Sequence, residues 1–131
     1  MERTIHNPWT WQEQFGFEQG NEVRGASRTL YCAGQTSVDA DGAPQHDGDM
    51  AGQILLALDN VDAVLRSGEM TLADVVRLDI YVTDIDLFFE HYGVMAERLA
   101  TAGCHYTGAL LEVRRLAMPG VMVEFEATAV A

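Results

Sequence analysis

Between Asp49 and Thr83 the spacing of apolar residues changes period once, and that change constrains the fold more than any other feature. Ile54, Leu58, Val61 and Leu65 recur at four, three and four residues, with Ala57 and Val64 beside them. That spacing places them on one face of a helix over 49–67. Asp59, Asp62 and Arg66 fall elsewhere and face water, Asp47 or Asp49 caps the start, and Gly68 ends it. From Asp74 the period becomes two. Val76, Leu78, Ile80 and Val82 then share one face, and Arg77, Asp79, Tyr81 and Thr83 the other. This predicts a half-buried strand.

The rest of the chain extends the alternation. Asp84 or Asp86 caps a second helix to about Ala102, striped by Phe88, Tyr92, Ala96 and Leu99 and stopped at Gly103. Upstream, Phe15–Arg24 reads as a short edge strand, 25–27 as a turn, and Leu30–Thr36 as a strand. Gly34 within that strand implies close approach of a backbone or ligand, and 39–44 is a turn-rich loop. Downstream, two apolar runs between Tyr106 and Ala131 flank a Met118-Pro119-Gly120 break and read as an antiparallel strand pair. Glu124 and Glu126 share one face of the last strand.

The order β-β-α-β-α-β-β predicts an α+β domain with one sheet covered by two helices. The last strands hold apolar groups on both parities, Val121, Val123 and Phe125 against Met122 and Val130. An uncovered sheet face of that kind predicts self-association. Residues 15–131 form the domain and 1–14 an N-terminal extension. Pro8 bars a helix there, and Trp9 and Trp11 pin the terminus to the body, or one of them lids a pocket or lies in a subunit interface.

Charge and cysteine usage restrict the function classes. The 131 residues include 20 acidic and 8 basic side chains, a net charge of −12. Phosphate backbones and anionic lipid would repel such a chain, so no nucleic acid is expected as a partner. No apolar run approaches the ~18 residues of a membrane span, so no membrane partner is expected either. The start, Met1-Glu2-Arg3-Thr4, is polar, and Cys32 and Cys104 are isolated. Together these give the expectation of a reducing cytoplasm. Gly42, Gly48 and Gly52 are followed by no Lys-Ser/Thr and form no phosphate loop.

Several segments resemble the Rid/YjgF family. They are Tyr31-Cys32-Ala33-Gly34-Gln35, Asp59-Asn60-Val61 with Ala63-Val64-Leu65, and Asp74-Val75-Val76 with Tyr81-Val82-Thr83-Asp84. Glu112-Val113-Arg114-Arg115-Leu116 followed by Val123-Glu124-Phe125-Glu126-Ala127 completes the set. The likeness runs from about Phe15 to Val130. It implies a chorismate-mutase-like protomer and a homotrimer with a barrel-like core and ligand clefts between subunits. It also implies hydrolysis of reactive imines and enamines, with no metal or organic cofactor. An arginine would clamp the substrate carboxylate, and a glutamate would position water.

The chain departs from that pattern at the site. The family arginine precedes the glutamate of the E-V-x-R-L motif by four residues, which is Gly108 here. A lost bidentate contact of that kind costs about 2–5 kcal/mol where the site is desolvated. The family tyrosine corresponds to Phe17, the serine before Gly34 to Ala33, an asparagine to Tyr92 and a cysteine to Leu110. Glu124 alone remains. Amid Val123 and Phe125 it is the expected acid/base, with Glu126 structural. His105 or Tyr106, beside Cys104, can donate in place of the missing groups. Cys104, His105 and Glu124 are too irregular for a metal site, and His6, His46 and His91 are scattered.

The expected activity is therefore a cofactor-free hydrolase of imines, enamines or related electrophiles, other than the usual 2-iminoacids. The alternative is a metabolite-binding or regulatory trimer on the same scaffold. A ribonuclease role is disfavoured by the charge and by the lack of a His/Lys cluster.

Overall fold

The computed structural model describes residues 1–131. A four-stranded mixed sheet carries the fold, in the order β3-β6-β4-β5. Its strands are β3 (Thr29–Tyr31), β4 (Val75–Val82), β5 (Leu110–Glu112) and β6 (Val123–Val130). Helix α1 (Met50–Ser67) packs on β6, and α3 (Tyr92–Thr101) packs on α1. Ile54, Leu58, Val61 and Leu65 are fully buried, as their spacing requires. Asp49 caps α1 by accepting from the Gly52 N–H at 3.0 Å, and Gly68 is its C-cap.

Strand β4 differs from its predicted face at one residue. Its register with β6 shifts between Val75 and Arg77. Val75, Leu78, Ile80 and Val82 are buried, whereas Val76 is only half-buried. A bulge changes alternation by one residue, which a strict period-two reading misses.

The second helix is two. α2 (Ile85–Glu90) begins on Asp84, whose side chain accepts from the Leu87 N–H. It breaks at His91, and α3 then runs to Thr101. The buried stripe is Phe88, Met95 and Leu99 with Tyr92 half-buried, so Met95 takes the place expected for Ala96. The α2–α3 crossover joins β4 to β5, which are parallel neighbours. Parallel strands need a connection of that length.

The closing strands are not a pair. β5 lies beyond β4, whereas β6 runs antiparallel between β4 and β3. Residues 113–122 carry the chain across the end of β4. Buried Gln53 of α1 holds this connection. It donates to the Gly120 carbonyl at 2.8 Å and accepts from the Met122 N–H at 2.8 Å.

The expected strand over Leu30–Thr36 is shorter. It ends at Tyr31, and a bridge between Gln35 and Phe125 continues the pairing. Phe15–Arg24 is a strand only from Gly20 (β2, Gly20–Arg24), because Trp11–Phe15 forms a 3-10 helix. Within 1–14, Glu2–His6 forms β1, antiparallel to β2. Arg3 secures it, donating to the carbonyls of Ala73 (3.1 Å), Val75 (2.9 Å) and His105. Trp9 and Trp11 stay 59% and 54% exposed, so backbone pairing rather than tryptophan burial holds this segment.

The helix-free face of the sheet is more polar than expected. Val121, Val123 and Phe125 are buried. Glu124 and Glu126 of β6 face the other way, opposite Tyr81 and Asp79 of β4. Tyr31 (79% exposed) and Leu111 (50%) are the large exposed groups of the flanking strands.

Candidate functional site

Pairing across the sheet sorts the candidate residues into two groups on opposite faces. Glu124 pairs with Tyr81, and Phe125 with Ile80, so Glu124 points away from the helices. Gly34 lies against it, and Ala33, its neighbour in the chain, is exposed. The Gln35 N–H donates to the Phe125 carbonyl at 2.8 Å and receives the return bond at 3.0 Å, which pins the segment. A methyl group at Gly34 would stand 1.8 Å from Glu124 Oε1. Glycine at this position lets the carboxyl lie over the backbone.

Burial raises the affinity of Glu124 for its proton, and the charge of Glu126 adds to that effect. Asp79 is held differently. Arg77 donates twice to it, at 3.0 Å each, and the Ala109 N–H donates at 2.9 Å. Sequence reasoning did not single out Asp79. Its signal is the Arg77-x-Asp79 spacing on the polar parity of β4. Glu126 is exposed.

The second group lines an apolar cavity of about 250 Å³ on the helix side. Phe17, Tyr92, Tyr106, Gly108 and Leu110 all border it. Trp11 and Phe15 of the 3-10 helix, Leu78 and Ile80 of β4, and Phe89 and Ala109 complete it. The aromatic spacing Trp11, Phe15, Phe17 was the signal for the first of these. Trp11 meets Phe17 edge-on at 5.8 Å, and Tyr92 meets Phe15 edge-on at 6.3 Å.

Gly108 is pressed onto β4. A Cβ there would lie 1.9 Å from the Leu78 carbonyl oxygen. Any side chain at this position would force the backbone of Gly108 or of β4 to shift. No lining residue of the cavity carries a charge. Its polar side-chain atoms are the indole N–H of the half-exposed Trp11 and the hydroxyls of Tyr92 and Tyr106. Tyr92 donates to the Phe15 carbonyl. Burial first, and the nearby Tyr92 hydroxyl after it, raise the affinity of the Tyr106 hydroxyl for its proton.

His105 belongs to neither group. Its Nδ1 lies 3.0 Å from Glu18 Oε1 on the outer side of the loop. Burial pushes the Glu18 carboxyl up, but the Asn7 amide and the His105 ring outweigh it, and the carboxyl ends below its ordinary range. Cys104 faces inward, 5% exposed, and burial pushes its thiol up to about 12. Neighbours in sequence, Cys104 and His105 form no thiolate pair. The other thiol, Cys32, is buried and raised for the same reason. No three His, Cys, Asp or Glu side chains converge closely enough to hold a metal ion.

Comparison with known proteins matches residues 17–131 to the family described as endoribonuclease L-PSP. A RutC family protein of Pyrococcus horikoshii is 30% identical over 104 residues, covering 79% of this chain and 80% of that protein. Among solved structures, the Rid-family protein YyfB of Yersinia pestis, a protein of unknown function, superposes with a TM-score of 0.82. It is 31% identical, with both chains fully covered. The YjgF gene product of E. coli gives 0.68 at 26% identity, covering 83% of this chain and 84% of its own.

Proposed function

The chain belongs to the endoribonuclease L-PSP family, the Rid/YjgF proteins, and from that premise we propose that it is a cofactor-free hydrolase of imines or enamines, with Glu124 as the acid/base. Family membership supports a small-molecule-processing role. The finer reading rests on one observation, a half-buried carboxyl of raised proton affinity laid over Gly34. Such a group takes a proton from water as it attacks the imine carbon and passes a proton to nitrogen. The C=N bond is replaced by C=O, and ammonia leaves.

Glu124 and the apolar cavity open on opposite faces of one sheet. A neighbouring copy that presents its cavity to this face would bring both to a single cleft. This geometry supports the homotrimer that the resemblance implies. The site would act on substrates other than 2-iminoacids, because Gly108 supplies no carboxylate-binding guanidinium and no other lining residue of the cavity is charged. A net charge of −12 speaks against the nuclease activity in the family's description.

The test is a panel of imines and enamines generated in solution, followed by release of ammonia. Glu124→Gln should lower the rate about 100-fold or more. An unchanged rate would remove Glu124 from the mechanism. The apolar cavity favours a second reading, a trimer that binds a metabolite without turning it over. Saturable thermal stabilisation with no product would support that reading.

A further inference from the structure

We propose that the N-terminal segment sets the ligand of the apolar cavity: Trp11 and Phe15 make it a clamp for one flat, uncharged aromatic ring, which the imine or enamine substrate would carry. Only that last clause rests on the hydrolase reading above, because ring binding is measured without turnover.

Both residues precede the 17–131 segment that matches the family, so they give the cavity a wall that the family pattern does not specify. They lie on the 3-10 helix Trp11–Phe15, where Gln12 is fully buried. Three bonds hold this helix and the chain around it. Tyr92 donates to the Phe15 carbonyl, Arg3 to the His105 carbonyl beside Tyr106, and the Gln19 N–H to the Asn7 side chain at 2.8 Å. Burial then grades the cavity walls. Leu78, Ile80 and Tyr106 are buried at the inner end, whereas Trp11 and Phe89, 54% and 47% exposed, stand at the mouth. Large apolar groups left half in water beside a cavity mark a place for a guest.

Ring geometry sets the class of guest. Trp11 meets Phe17 at an interplanar angle of 73°, Phe15 meets Tyr92 at 80°, and Phe15 stacks on Phe17 with centroids 6.5 Å apart. A further ring can join such an array by edge or by face, a gain beyond area burial that an aliphatic guest of equal size lacks. A buried space of about 150 Å³ holds a benzene molecule. At about 250 Å³ the cavity takes one substituted ring or a fused pair.

Charge sets the second limit. The side-chain polar atoms of the wall are the Trp11 indole N–H at the mouth and the hydroxyls of Tyr92 and Tyr106. They can bond a neutral polar substituent, but none neutralises an ion, and an ion left unpaired in an apolar site is costly. A cation can rest on an aromatic face. Here Leu78, Ile80, Ala109 and Leu110 form the rest of the wall and no carboxylate joins them, so a cation loses its water without a counter-charge.

Calorimetric titration of the intact protein with benzamide, benzoate, benzamidine and cyclohexanecarboxamide tests the proposal. The four are close in size and differ in charge or aromaticity. Benzamide should bind about 10-fold or more tightly than the anion and the cation, and about 3-fold or more tightly than the aliphatic amide. Trp11→Ala should weaken benzamide about 10-fold. Trp9→Ala, in the same segment but outside the cavity wall, should leave it unchanged. In Trp9→Phe, Trp11 is the one remaining tryptophan, and saturating benzamide should shift its fluorescence. No binding of benzamide, equal or tighter binding of either ion or of the aliphatic amide, or full affinity in Trp11→Ala would each overturn the proposal. So would an unmoved Trp11 emission, which decides the location even if Trp11→Ala misfolds. A protein that binds benzamide but is inactive toward imines sinks the hydrolase reading alone; an active hydrolase that ignores benzamide sinks this one alone.

Discussion

Burial and the charge of Glu126 both disfavour the ionised form of Glu124. The folded state therefore holds this proton above the ordinary carboxyl value of 4.5. Between that value and the raised one, the folded state binds more protons than the unfolded state, so stability falls as pH rises through the window. Glu124→Gln should therefore melt at or above the wild-type temperature at pH 7, with the difference shrinking below pH 4.5. Scanning calorimetry at the two pH values checks this, and a variant that melts lower at pH 7 would contradict it. Two glycines separate space from chemistry. At Gly108 an added methyl meets a carbonyl fixed in β4, so Gly108→Ala should cost about 1–3 kcal/mol in urea unfolding. At Gly34 it meets only the end of the Glu124 side chain, which can swing away. Gly34→Ala should leave the urea midpoint nearly unchanged, yet lower any Glu124-dependent rate about 100-fold by displacing the carboxyl.

Among the elements, α1 was legible down to its caps because one amphipathic stripe and one aspartate determine it. β4 was legible except at Val76, where a bulge spends one residue and leaves no mark in composition. The break at His91 was hidden because Phe88, Tyr92 and Leu99 keep a helical spacing across it. The partnership of β5 and β6 was misread because strand pairing depends on non-local contacts. A Pro-Gly break looks the same whether it ends a hairpin or crosses a strand. The cavity-lining Phe17, Tyr92, Gly108 and Leu110 were marked by the family motif and Tyr106 by its place beside Cys104 and His105, whereas Leu78 and Ile80 looked like ordinary core. The connection over 113–122 depends on a side chain far away in sequence, Gln53. Gln53→Leu strips the Gly120 carbonyl and the Met122 N–H of partners, at about 1–3 kcal/mol for each group left unpaired. Hydrogen exchange should show Met122 losing protection before the amides of β6, and equal loss throughout β6 would count against this local role.

For the whole molecule, the helix-free sheet face combines exposed Tyr31 and Leu111 with the carboxylates of Glu124 and Glu126. If copies meet through this face, apolar contact and like-charge repulsion oppose each other there. Sedimentation of the 14.4 kDa chain should then report three copies, held more tightly as salt rises from 10 to 150 mM on the scale of ionic screening. Dissociation by added salt would show that attraction between charges dominates the contact. Cys32 follows β3 and Cys104 follows α3, and both are shielded. Thiolate forms only when the surrounding structure lets solvent in. The pair thus acts as two built-in clocks. The rate at which each is alkylated in native buffer times the transient parting of its own neighbourhood, with no engineered residue.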